Sequence, residues 1–165
     1  MANSSPKAKF DPTLKIGGTH PSMERLHSIF IKEFMTKDPI VLAPGETIAD
    51  AYEKMHVHQI RHLPVVNENG EVIGMFTATD LNHAYAPRET EAGWFYDKEG
   101  LQLLDVHHFM SKDPLTLTPE NTLKEAAEVM ASSRFGGLPI VASGTRKIVG
   151  IISYVDVLKE IAKHF

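Results

Sequence analysis

No cysteine occurs among the 165 residues, so disulfides and thiolate-held metals are excluded, which fits a reducing compartment. No apolar run approaches the ~20 residues that a membrane-spanning helix requires. The first residues, Met1-Ala2-Asn3-Ser4-Ser5-Pro6-Lys7, lack the apolar segment of a secretory signal, and a cytoplasmic location is expected. Positive charge is not in excess: 17 Lys and Arg stand against 21 Asp and Glu, a net charge of −4 with the nine histidines neutral. That balance carries no nucleic-acid footprint, so neither nucleic acid nor membrane is expected as a partner. Catalytic signatures are missing too. There is no Ser/His/Asp set, no dense carboxylate pair and no phosphate loop of the G-x-x-x-x-G-K-[ST] kind, so an enzymatic role is not expected.

What is present is a repeat. The segment Phe34-Met35-Thr36-Lys37-Asp38-Pro39 returns as Phe109-Met110-Ser111-Lys112-Asp113-Pro114, and 14 of the 33 positions in 34–66 are identical in 109–141. Each copy reads alike. A short strand is expected at Ile40-Val41-Leu42, and a breaker follows at Pro44-Gly45. A helix then opens on Thr47 with Asp50 three residues on, or on Thr122 with Glu125, the spacing of a capping box. Ile48, Ala51, Tyr52 and Met55 give that helix one apolar face. Leu63-Pro64-Val65-Val66 and Leu138-Pro139-Ile140-Val141 read as strands, the proline marking a strand start or an edge. A turn and a third strand (71–76, 147–152) complete each copy, and a helical pattern follows. The class is α+β, a duplicated β-α-β-β-α unit. The boundaries run 1–28 for a loosely ordered arm, 29–86 for the first repeat, 87–104 for a connecting segment and 105–165 for the second. A short helix is expected in the arm near 23–26, and another near 101–104.

At the junction of the last strand and helix stands G-x-x-[Thr/Ser]-x-x-Asp, once as Gly74, Thr77 and Asp80 and again as Gly150, Ser153 and Asp156. One meaning is a helix cap, in which the hydroxyl accepts from the backbone and the acid reaches back. The other is a ligand site. Amides and a hydroxyl at a helix start can hold a phosphate, and a carboxylate can accept both donors of a ribose diol.

Taken together, the Met-[Thr/Ser]-x-x-Pro entry, the Leu-Pro-[Val/Ile]-Val strand and G-x-x-[Thr/Ser]-x-x-Asp resemble the CBS domain, a module that usually occurs in tandem pairs. The resemblance covers about 30–85 and 105–163. It implies two repeats packed with pseudo-two-fold symmetry, clefts between them, and regulatory binding there of AMP, ADP, ATP or S-adenosylmethionine. It further implies that Asp80 and Asp156 hold ribose hydroxyls and that Thr77 and Ser153 contact ribose or phosphate. Leu63, Pro64, Leu138 and Pro139, with Thr36, Val41 and Thr116 on the strands beside Pro39 and Pro114, are implied as base and sugar walls. The alternative function is a structural dimerisation module without a functional ligand.

Arg61 and His62 precede the first Leu-Pro pair, where an arginine can fork onto phosphate oxygens and a histidine can donate to one. The second repeat has Gly136 and Gly137 there, so the clefts are expected to differ, with the one around Asp80 favouring phosphorylated ligands. Gly137 would admit close approach of ligand to backbone. His58 and His62 could share a helix face and ligate a metal, but no acid stands at the required spacing and no metal site is expected. The methionines 35, 55, 110 and 130 read as core filler, and Trp94 as part of a packed connector. A homodimer is expected through the helix faces at Ile48, Tyr52, Met55 and Leu123, Ala127, Met130.

Overall fold

Local hydrogen bonding fixes the two long helices. The structure, a computed structural model, describes residues 28–84, 88–90, 93–95 and 98–164, and the side chains of 88–90, 93–95 and 98–99 are outside that description. Helix α1 (Ile48–His58) and helix α4 (Leu123–Ser133) both begin with a completed capping box, Thr47 with Asp50 and Thr122 with Glu125. Thr47 N–H donates to Asp50 Oδ2 at 2.8 Å and Asp50 N–H donates to Thr47 Oγ1 at 3.2 Å. Each such cap is worth about 1 kcal/mol. Both helices end on a left-handed residue, Gln59 and Arg134. His62 therefore belongs to the next strand, and His58 and His62 share no helix face. Among the described residues no three His, Cys, Asp or Glu gather as a metal site.

The short strands behave differently from the sequence expectation. Strand β1 is Thr36–Lys37, not Ile40-Val41-Leu42, and Leu42 makes only a single parallel bridge to Val65. In the first repeat β2 (His62–Val66) pairs antiparallel with β3 (Val72–Thr77), which runs into α2 (Ala78–Ala84). The connection carries a backbone hairpin, β4 (Arg88–Thr90) with β5 (Gly93–Phe95), and the short α3 (Lys98–Leu101). In the second repeat come β6 (Ser111–Lys112), β7 (Gly137–Val141), β8 (Ile148–Ser153) and α5 (Tyr154–Ala162). The expectations for the arm, its helix at 23–26, and the Trp94 side chain lie outside the described residues.

Strands β1 and β6 change places. β1 pairs with β8 of the second repeat (Thr36 opposite Ile151), and β6 pairs with β3 of the first (Ser111 opposite Met75). The resulting sheets have the orders β1-β8-β7 and β2-β3-β6. The exchange extends to the cores. Ile29 and Ile31, ahead of β1, pack with Leu123, Leu138, Ile140 and Ile152. Val106 and Met110, ahead of β6, pack with Leu42, Ile48, Leu63 and Phe76. Ile31 and Val106 are each 0% exposed, and burying such a side chain stabilises the fold by about 1.5–3 kcal/mol. The methionines fill as expected, since Met55, Met110 and Met130 are buried and Met35 packs on the second core.

Proline lies where its missing N–H costs nothing. Pro64 sits on β2, an edge of its sheet, opposite Met75 of β3. Its carbonyl, and hence its nitrogen, faces Leu42, whose N–H donates to Pro64 O at 2.9 Å. The two hairpin tips are joined as well, Ile148 N–H donating to Gly70 O at 3.0 Å and the Arg146 guanidinium to Val72 O at 2.9 Å. No helix among the described residues is long and apolar enough to cross a membrane.

Candidate functional site

The exchange of β1 builds a cleft. Because Thr36 lies opposite Ile151, the turn after β1 brings Asp38, Pro39 and Ile40 beside the start of α5. A cleft of about 360 Å³ opens there, a size suited to a small molecule. Ser153, Tyr154, Val155 and Asp156 form one side of it, and Gln59, Ile60, Arg61 and His62 the other.

At the motif both meanings of the sequence apply to the same atoms. Ser153 N–H and Oγ–H donate to Asp156 Oδ2 at 2.8 and 2.7 Å, and Asp156 N–H donates to Ser153 Oγ at 3.3 Å. Thr77 and Asp80 repeat this at 2.7, 2.8 and 3.3 Å. The cap is therefore real in both copies. It also redistributes the chemistry. The bonds that each aspartate accepts both run to Oδ2, so Oδ1 lies outside the cap as an acceptor for a diol. Most of the helix-start amides, by contrast, are spent. Tyr154 N–H donates to Gly136 O at 3.0 Å and Ala78 N–H to Arg61 O at 2.9 Å, which leaves little for a phosphate. An anion has to find its partners in side chains.

Those partners sit in a place the sequence did not indicate. Arg61 and His62 belong to the first repeat but line the cleft of Asp156. The expectation that the Asp80 side carries the cationic pair is reversed. β2 starts with His62 opposite Thr77 in its own sheet, while the side chain extends across the repeat interface onto Gly136 and Gly137. A Cβ on Gly137 would stand 2.7 Å from His62 Cγ, and one on Gly136 2.8 Å from His62 Nε2. The close approach that these glycines allow is thus taken by His62. Burial, and then the charge of Arg61, push the His62 pKa below its ordinary value, and Asp156 opposes them.

The other expected residues fall into two groups. Thr36, Arg61, His62, Ser153 and Asp156 come together in this cleft. Leu63 and Leu138 are 0% and 1% exposed, and with the buried Pro64 and Pro139 they lie in the strand interiors, not in its lining. Gly137 is buried beneath His62. Val41 is outside the lining, its carbonyl accepting from Lys54 Nζ at 2.8 Å, and Thr116, Thr77 and Asp80 are outside it too. The apolar walls come from Pro39 and Ile40, in the segment expected after Pro39, and from Ile60, Ile151 and Tyr154. Ile151 and Tyr154 occupy the unspecified positions of the second motif, the one local signal that could have named them.

The CBS domain model covers residues 31–87 and 105–163. The chain belongs to the CBS domain family.

This CBS pair is 34% identical over 136 residues to an uncharacterized Methanocaldococcus jannaschii protein, MJ1225, covering 80% of the chain and 47% of that protein. The crystal structure of MJ1225, presented as a candidate archaeal homologue of γ-AMPK, superposes with a TM-score of 0.68 at 31% identity, covering 81% of this chain and 48% of that one. The chain thus spans less than half of that relative's length. Two other solved CBS structures contain ligands. The MJ0100 domain pair, in complex with 5′-methylthioadenosine and S-adenosyl-L-methionine, gives a TM-score of 0.69 at 23% identity, covering 82% and 98% of the two chains. CBSX2 in complex with AMP gives 0.66 at 24% identity, covering 82% and 97%.

Proposed function

We propose that this CBS pair is a regulatory module that binds an adenosine-containing ligand in the Asp156 cleft and acts through a partner or its own oligomer, with no catalysis of its own. One observation carries the proposal. A single cleft joins a pre-oriented carboxylate with a free oxygen, an apolar wall from Pro39, Ile40, Ile151 and Tyr154, and the Arg61–His62 pair. Those are the parts that a ribose diol, a base and a phosphate require. The solved CBS pairs with 5′-methylthioadenosine, S-adenosyl-L-methionine and AMP are 23–24% identical and speak for the fold, so the case rests on the residues of the cleft.

A thermal-shift panel of adenosine, AMP, ADP, ATP, NAD and S-adenosylmethionine with a guanosine control tests the proposal. Saturation at 100 times Kd stabilises the native state by about 2.7 kcal/mol, a visible rise in Tm. No rise with any adenosyl compound at millimolar concentration leaves dimerisation without a ligand as the function.

Self-association is proposed on a face that keeps only Tyr52 of the residues the sequence indicated. Ile48, Met55, Leu123 and Met130 are core side chains and cannot form an interface. Tyr52 and Val57 on α1, and Tyr154 and Leu158 on α5, remain exposed. A homodimer through those helix faces is expected to sediment at twice the monomer mass at micromolar protein; a monomer overturns it.

A further inference from the structure

We infer that the Asp156 cleft discriminates by ligand charge, accepting a nucleoside with no phosphate or one and rejecting di- and triphosphates. This rests on the proposal that the cleft holds an adenosine-containing ligand. Among the described residues that line it, the charged or titratable acid and base groups are Asp38, Asp156, Arg61 and His62, with the Tyr154 phenol beside them. Two carboxylates thus meet one permanent cation. His62 does not redress the balance at neutral pH. Its ring is half-buried against the Gly136–Gly137 backbone, and both that burial and neighbouring Arg61 hold it in the neutral form. The lining is left with an excess of negative charge.

Backbone donors are equally scarce. At the start of α5, Ser153 N–H, Tyr154 N–H and Asp156 N–H are already engaged, which leaves Val155 N–H by itself and no nest of several amides for a polyphosphate. The one permanently cationic donor is the Arg61 fork, and the neutral donors beside it (Thr36, Gln59, the Tyr154 phenol and a ring nitrogen of His62) can meet phosphate oxygens without offsetting further charge. Every further phosphate adds negative charge beside Asp38 and Asp156 without another cation to meet it. A neutral nucleoside, a monophosphate or a cationic sulfonium nucleoside avoids that penalty.

Asp38 is the residue on which the charge argument can be tested. It follows β1 with φ of 47°, a left-handed conformation that asparagine also adopts readily, so Asp38→Asn removes the charge and keeps the turn. The experiment is calorimetric titration of the full chain and of Asp38→Asn with adenosine, AMP and ATP in EDTA. Expected for the unmodified protein is ATP binding at least about tenfold weaker than AMP, the scale of a few partly screened charge contacts. In Asp38→Asn the AMP-to-ATP ratio is expected to fall several-fold. ATP binding as tightly as AMP overturns the inference and leaves the adenosine site standing, as does an unchanged ratio in Asp38→Asn. Failure of both adenosine and AMP to bind overturns the proposed function beneath it.

Discussion

His62 lies against Gly137, although the two residues occupy equivalent positions in the two repeats. A Cβ on Gly137 would crowd His62 as it lies, because the His62 side chain crosses the repeat interface onto that glycine. The duplication has thereby lost its symmetry at the point where charge matters. The Asp156 cleft receives Arg61 and His62, whose counterparts in the second repeat are Gly136 and Gly137.

Gly137→Ala is expected to destabilise the protein by about 1–3 kcal/mol, the usual cost of overpacking, since the new Cβ would stand 2.7 Å from His62 Cγ. The double variant His62→Gly/Gly137→Ala should recover much of that loss. Urea unfolding of the three proteins measures it. Equal loss in the single and double variants would show that the contact is not the cause.

Asp156→Ala is expected to weaken AMP binding by roughly ten- to a hundredfold through loss of a charge-assisted acceptor, and to cost about 1 kcal/mol of stability through the cap. Asp80→Ala should cost a similar amount of stability and spare the tighter AMP site. Calorimetry with AMP and adenosine separates them. Arg61→Ala should weaken AMP more than adenosine. The reverse pattern, with Asp80 controlling the tight site, would place the cation-bearing cleft in the wrong repeat.

Acid should weaken the unliganded fold in two stages. Folding resists protonation of His62, so the unfolded chain takes up more protons as pH falls through 6.5, its ordinary value, and stability declines from there towards the lower folded value. The second stage belongs to the caps. Hydrogen bonds from Thr47 and Thr122 hold Asp50 and Glu125 below their ordinary values of 3.8 and 4.5, and the stability they give is lost as pH falls below those values. Denaturation midpoints across pH 3–8 measure both. His62→Gln should abolish the first stage and leave the second.

Ile31→Ala is expected to cost about 2–5 kcal/mol, because the side chain is 0% exposed in the core of the second repeat. By the same reasoning a fragment of residues 105–165, lacking Ile29, Ile31 and β1, should be much less stable than the intact chain. A cooperative, equally stable fragment by circular dichroism would contradict the exchange of segments.

Much of this protein was legible before its structure. Capping boxes at Thr47 and Thr122, the turn at Gly70 and the edge proline Pro64 all follow from contacts within a few residues, and the structure contains each of them. The first strand was misplaced because Ile40-Val41-Leu42 has the stronger β composition, whereas Thr36 and Lys37 are a strand only through Ile151 and Gly150. The wall residues went astray for a related reason. A Leu-Pro pair within a strand does not reveal which face is core, and here both leucines point inward.

The sequence by itself determined the duplication, the α+β class and the capped aspartates, since identity between copies and i to i+3 hydrogen bonds are local properties. Only the tertiary structure decided which repeat each edge strand joins. Thr36-Lys37 and Ser111-Lys112 are nearly the same dipeptide and β3 and β8 nearly the same template, so local preference is about equal for pairing within a repeat or across repeats. The long-range packing of Ile29, Ile31, Val106 and Met110 into the opposite cores breaks that tie. With it the side chains of Arg61 and His62 are brought to Asp156.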